Sequence, residues 1–226
     1  PPKEKLNFLG FKDILKKGKI VVLNMNISEY SILSKIIATY LKLDFQTEII
    51  SSISKNNVKS SAFICDEYDK YASKTDSEFF SLSREAKCIN IISTQSYSSL
   101  KLSLKDEYQV KVLSQNLINK IWFRSDDLFT IENAQKQLGK EEQKRISKSI
   151  SESAKKTNFS YITNTLHSQD SNISESYNTY TQKDYIYDTN FFTQKLETFT
   201  ALTFLSDGNK IISTKKLNLF PYFKNN

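Results

Sequence analysis

The stretch SAFICDEYDKYASKTDSEFFSLSREAKCINIISTQSYSSL, residues 61–100, decides the fold. It opens on a short apolar run, Ala62-Phe63-Ile64-Cys65, that ends at two carboxylates, Asp66 and Glu67. A second run, Cys88-Ile89-Asn90-Ile91-Ile92, ends at Ser93-Thr94-Gln95, and the segment between is long enough for one helix. Two buried-strand patterns joined by a helix read as a βαβ unit with a parallel sheet. Ligands of such sheets bind beyond the carboxyl ends of the strands. Both polar clusters fall there, so they are expected side by side at one edge. Read sharply, that edge is a nucleotide-hydrolysis centre. Read plainly, it is two strand ends with ordinary polar caps.

Outward from this unit the alternation continues. Residues 19–24, KIVVLN, have the pattern of a buried strand. Ser28-Glu29 can cap a helix whose apolar positions Ile32, Leu33, Ile36, Ile37, Tyr40 and Leu41 follow a helical period to about Phe45 or Ile50. A polar loop, 51–60, leads into the 62–65 strand, and after the loop-like stretch 68–76 a helix is expected over 77–87. A helical turn at 95–100, a helix over 108–116, a short strand KIWF at 120–123 and a helix over 126–138 follow. Asp126 or Asp127 caps that last helix, and Gly139 sits where a C-cap glycine belongs.

From Ile146 the character changes. SKSISES, TNFSYITNT and NISESYNTYTQ alternate with period two and are rich in Ser, Thr, Asn and Tyr, a half-exposed β pattern. A flexible polar linker is the competing reading. A short helix over 191–199 and a hairpin of 201–205 with 210–217 around Asp207-Gly208 complete the chain.

Composition bounds the possibilities. A chain of 226 residues with 38% apolar content suits one large domain, or one and a half smaller ones, with a real core. The net charge of +7 favours an anionic partner, nucleic acid first. Cys65 and Cys88 each sit in a strand pattern and read as buried, reduced thiols rather than a disulfide or metal site. His167, the one histidine, has no ligand-spaced companion, which argues against zinc. No apolar run approaches the length of a membrane span, and no signal-peptide pattern opens the chain.

The strand ends could carry phosphoryl chemistry. A carboxylate closing an apolar strand can hold Mg²⁺ through its waters, and a neighbouring acid can orient or deprotonate the attacking water; Asp66 and Glu67 match these roles in that order. Gln95, on the adjacent strand end, could contact the water or the γ-phosphate. Charge developing on the phosphoryl group calls for a cation, which Arg84 or Arg124 could supply.

Taken together, ICDEYDKY, SREAKCINIISTQSYSSL, INKIWFRSDD with AQKQLGKEE, GKIVVLNM and LETFTALTFLSDGNKII resemble the type IV secretion coupling proteins of the TraG/TraD kind. The resemblance implies an α/β, RecA-like P-loop NTPase core (its C-terminal part, a mainly parallel sheet with flanking helices) and a β-rich C-terminal section. Residues 1–145 would be the partial motor and 146–226 the β-rich section of the same domain. It also implies Asp66-Glu67 as the Walker B pair, with Asp66 on Mg²⁺ and Glu67 catalytic. Gln95 would be the sensor glutamine, and Arg84 an arginine reaching a neighbouring subunit's nucleotide. Arg124 is a weaker candidate near the same edge.

No G-x-x-x-x-G-K-[ST] occurs; the pairs Gly18-Lys19 and Gly139-Lys140 lack its other residues. In the family that loop, a membrane anchor and an all-helical insertion precede the matched region. The chain is therefore expected to be the C-terminal part of a longer protein and a poor ATPase alone, with a degenerate relative as the alternative. The function expected is in an ATP- and Mg²⁺-dependent motor that brings DNA, or a relaxase–DNA complex, to a secretion channel. It would work as a homo-oligomeric ring at the cytoplasmic face of a bacterial inner membrane, held there only by the missing anchor. A ring translocase of the HerA/FtsK type and a non-hydrolysing docking module are the competitors. For DNA contact, Lys136, Lys140, Lys144, Arg145, Lys148 and Lys155-Lys156 with interleaved tyrosines are candidates, although Glu141 and Glu142 interrupt them. The same Lys/Ser-rich region could instead be a protein–protein surface within a ring.

Overall fold

The computed structural model describes residues 8, 10–25, 27–55, 58–152, 157–168 and 173–221. The chain forms two compact units, residues 1–134 with 189–226, and residues 135–188. The sequence reading divided one domain at 145/146; the last strands belong to the first unit, where one of them pairs with the strand at 120–122.

The first unit begins with α1 (Phe11–Lys17) and α2 (Ile27–Ser54), then β1 (Ser61–Cys65), α3 (Asp76–Leu82) and β2 (Cys88–Ile92). β1 and β2 pair in parallel, Ser61 opposite Cys88 through Cys65 opposite Ile92, so the βαβ unit forms where the sequence placed it. Helix α3 ends sooner than expected. Ala86, Lys87 and Cys88 N–H groups bond back to Leu82, Arg84 and Ser83, and Lys87 at φ 49° turns the chain into β2. Helix α2 runs longer at both ends, so Ser28 and Glu29 lie in its first turn. Ser51 and Ser52 stay helical by donating their hydroxyls to the Glu48 and Ile49 carbonyls.

One sheet face is packed. Phe63, Cys65 and Ile92 meet a core of Phe45 and Ile49 from α2, Phe79 and Phe80 from α3, and residues of α4 (Tyr97–Leu104) and α5 (Glu107–Asn116). Phe45 stacks on Phe63 with ring centres 5.7 Å apart. Each fully buried side chain of this size contributes about 1.5–3 kcal/mol. Ser96 and Asp106 cap α4 and α5 by accepting the Ser99 and Tyr108 N–H groups.

A second sheet is antiparallel, ordered β10 (Lys216–Asn218), β8 (Thr200–Ser206), β3 (Lys120–Trp122), with β9 (Ile211–Ser213) on the far end of β8. The expected hairpin exists, but its return run is split between β9 and β10. Its turn is held by Asp207, which accepts the Asn209 and Lys210 N–H groups beside Gly208 at φ 93°. A single π-helical turn, Phe191–Lys195, replaces the expected helix over 191–199 and buries Phe192. Helix α6 (Leu128–Leu138) starts at an Asp127 cap, Thr130 N–H to Oδ2 at 3.0 Å. Gly139, at φ 89°, follows it in the left-handed region.

One expected strand is absent. Residues 19–25 pair with no described strand, and Ile20 and Val22 are 91% and 83% exposed. A strand is defined by its ladder rather than its own propensity, so without a strand partner among the described residues KIVVLN forms no strand.

The second unit settles the choice between β structure and linker for its described part. β4 (Lys140–Glu152) and β7 (Ile173–Tyr185) form an antiparallel ribbon, each 13 residues long, and β5 (Thr157–Ser160) pairs with β6 (Thr165–Ser168). Lys155-Lys156 lie outside the described residues.

Candidate active site

β1 ends at Cys65 and β2 at Ile92, and the ladder continues past both ends. Ser93 N–H donates to the Cys65 carbonyl at 3.0 Å, and Tyr68 N–H donates to the Ser93 carbonyl at 2.8 Å. Side chains follow the same pairing. The Ser93 hydroxyl donates to Asp66 Oδ1, which also accepts the Glu67 N–H at 2.9 Å, and the Thr94 hydroxyl donates to Asp69 Oδ1 at 3.1 Å. Asp66-Glu67 and Ser93-Thr94-Gln95 therefore lie at one sheet edge. Asp66 and Gln95 are exposed there and Glu67 is half-buried.

Glu67 has left-handed backbone, φ 48°, ψ 42°, where a non-glycine residue costs roughly 1–3 kcal/mol unless its surroundings impose it. Asp66 and Tyr68, on either side, are both bonded to Ser93. The chain then enters a 3₁₀ turn, Tyr68–Lys70, with Tyr68 fully buried.

Behind the turn is a polar cluster that sequence reasoning missed. Asp76, completely buried, accepts bonds from Lys42 Nζ at 2.7 and 2.8 Å, Gln46 Nε2 at 3.1 Å, Ser73 N–H and Oγ at 2.8 Å, and the Tyr68 hydroxyl. Lys42 Nζ also donates to the Tyr71 carbonyl at 2.6 Å. Burial lowers the Lys42 pKa, against the raising effect of Asp76, and burial with the Asp76 charge raises that of Tyr68. Burial also pushes the Cys65 thiol up to about 11, with Lys42 opposing and the nearby aspartates adding. One signal was available: Lys42 interrupts the apolar period of α2. Its partner lies 34 residues away, beyond any local pattern.

The two arginines are placed differently. Arg84 follows α3 and precedes β2, so it lies by the amino ends of the strands, a strand length from Asp66 and Glu67, and the structure does not bring them together. Arg124 follows β3, and three residues later Asp127 accepts the Ser98 hydroxyl at 2.5 Å and the Ser98 N–H at 3.4 Å. That latch ties the loop after β3 to the segment just past Gln95, which puts Arg124 on the Gln95 side. Burial raises the Asp127 pKa, but the bonds from Ser98 and Thr130 outweigh it and hold the carboxyl low.

A magnesium ion would find one exposed carboxylate, Asp66, with the Ser93 hydroxyl beside it. Among the described residues no group of three His, Cys, Asp or Glu could hold a metal. This donor set fits an ion that keeps its waters and borrows phosphate oxygens, not a cage made by protein alone. His167 falls in β6.

The ribbon sorts the basic run. By alternation Lys140, Lys144 and Lys148 share one face of β4 and Arg145 takes the other, where its Nε donates to Asp184 at 3.1 Å. Lys148 is paired with Glu175 at 2.8 Å, and Lys140 lies 4.6 Å over the Tyr185 ring.

No protein-family model matches the chain, and no curated protein matches it in sequence. Among solved structures it is similar to the bacterial conjugative coupling protein TrwBdeltaN70 in its unbound monoclinic form, with a TM-score of 0.59 at 14% identity. That likeness covers 94% of this chain and 44% of the coupling protein's, so the chain spans less than half of that protein's length. At such identity the likeness is one of fold: a mixed α/β chain with parallel and antiparallel sheets that is similar to part of that coupling protein. Among the described residues no helix is long and apolar enough to cross a membrane.

Proposed function

We propose that this chain is the carboxylate-bearing part of an ATP-driven coupling protein that moves DNA, or a relaxase–DNA complex, to a conjugation or secretion channel. The observation that carries the reading is the strand-end edge, where Asp66, Glu67 and Gln95 stand beyond two parallel strands and Glu67 is held in a left-handed conformation. In this reading Asp66 holds Mg²⁺ through water, Glu67 orients the attacking water, and Gln95 contacts the γ-phosphate. Bound ATP and Mg²⁺ would supply the phosphoryl group and the charge that neutralises it. Arg84, at the opposite strand ends, is the residue available to a neighbouring copy in a homo-oligomeric ring, and Arg124 remains on the Gln95 side. A membrane anchor at the cytoplasmic face, and contacts to channel proteins, would come from elsewhere in the protein.

The absent phosphate loop favours a second reading, a docking module that keeps the motor fold without hydrolysis. Turnover separates the two. A polypeptide that carries both a phosphate-loop segment and this chain should hydrolyse ATP. Glu67→Gln should then lower kcat by about 10²–10⁴ with little change in KM. Equal turnover in the variant sinks the Walker B assignment. This chain alone should show no turnover with or without single-stranded DNA; turnover that Glu67→Gln abolishes would mean a complete site lies within it.

A further inference from the structure

We propose that Lys42 and Asp76 are positioning residues for Glu67, acting through Tyr68; this rests on the reading of Glu67 as the hydrolytic carboxylate. A fully buried ion pair is a poor way to gain stability, because desolvation offsets the attraction and apolar residues of similar volume do as well. Lys42 and Asp76 are buried to 5% and 0% exposure. What apolar residues could not do is hold polar groups of the turn, and that is where the pair's hydrogen bonds go.

The Tyr71 carbonyl, the Ser73 N–H, the Ser73 hydroxyl and the Tyr68 hydroxyl all end on Lys42 or Asp76. Tyr68 is bonded at both ends, its N–H to Ser93 on β2 and its hydroxyl to Asp76 at the start of α3. Glu67 is the residue immediately before it. Its strained backbone persists only while both neighbours are fixed, Asp66 by Ser93 and Tyr68 by Ser93 and Asp76. The pair thus sets where the Glu67 carboxylate stands relative to Asp66.

The full 226-residue chain tests this without turnover. Tyr68→Phe removes the hydroxyl but keeps the ring packed against Phe80, 5.9 Å between centres. The double variant Lys42→Met/Asp76→Leu replaces the pair by apolar groups. Backbone amide exchange is read at Glu67, Tyr68 and Asp69 against Val110 and Leu113 of the core, and Mn²⁺ is added to broaden amides near the carboxylates. Tyr68→Phe should melt modestly below the parent, and the double variant lower still because it leaves the Tyr71 carbonyl, Gln46 and Ser73 unpaired, and both should exchange about tenfold faster at 67–69 relative to the core amides. Mn²⁺ broadening at Asp66 and Glu67 should weaken with them. Exchange at 67–69 that matches the parent in Tyr68→Phe overturns the proposal, and that variant decides if the double variant does not fold. The reading underneath fails separately, when Glu67→Gln leaves ATP turnover unchanged in a polypeptide that also carries a phosphate-loop segment.

Discussion

Cys65 sits between the packed sheet face and the carboxylate edge, and its chemistry reports on both. Burial and the surrounding aspartates raise its thiol from 9.0 to about 11, so at pH 8 its thiolate fraction is about a hundredfold below that of a free cysteine. Alkylation by iodoacetamide at pH 8 should be slower by about that factor and reach the free-cysteine rate in urea. A native rate equal to the unfolded one would mean the edge is open. The Lys42–Asp76 pair behind it has the opposite sensitivity. Asp76→Asn leaves a buried ammonium without its counter-charge and should cost about 3–5 kcal/mol in urea unfolding. A loss under 1 kcal/mol would mean that the cluster is wet. At this scale the position of Asp66, Glu67 and Gln95 at the strand ends was legible because their signal is local, each at the end of an apolar run. The Lys42–Asp76 cluster was not, because a hydrogen bond between α2 and α3 leaves no spacing to read.

At the scale of elements, helix α2 shows why periodicity fixed a helix but not its orientation. Ile32, Leu33, Ile36 and Tyr40 carried the helical reading, yet these residues are exposed while Ser34, Lys42 and Gln46 of the same helix are buried. Ile36→Lys should therefore shift stability by no more than about 0.5 kcal/mol, whereas Phe45→Ala should cost about 3–5 kcal/mol in the same denaturation. Similar losses from both would put the apolar stripe inside. The strand read over 19–24 failed for a related reason: its residues have the right propensity, but pairing is a property of two segments. In β3, Lys120 donates to the Ser114 and Leu117 carbonyls at 2.9 Å, and burial lowers its pKa from 10.5 to about 8. Between those values the unfolded chain holds a proton that the folded chain has released, so this residue makes stability rise with pH across that window. Replacing it by Met should remove that rise from urea midpoints measured between pH 7.5 and pH 10. An unchanged slope would show that Lys120 stays charged in the fold.

At the scale of the molecule, the described residues of the first unit cover only one face of its parallel sheet. Along β1 and β2 the side chains alternate, and the register brings Ile64 beside Ile91 and Ala62 beside Ile89 on the side away from the core. Ile64, Ile89 and Ile91 are 72%, 63% and 55% exposed. Parallel sheets are ordinarily covered on both faces, because their strands carry apolar residues on both, and contiguous bare patches of this kind drive association. The face is thus a liability for the isolated chain whatever covers it elsewhere. The chain should bind a hydrophobic dye such as ANS while fully folded, and its sedimentation coefficient should rise with concentration. Ile64→Thr/Ile91→Thr keeps β-branched residues in both strands while making the face polar, so it should reduce dye binding and association together and leave the melting midpoint nearly unchanged. A variant that melts much lower would place these isoleucines inside the fold. One that keeps both the dye signal and the association would move the sticky surface elsewhere, with the exposed residues 19–24 the next segment to change.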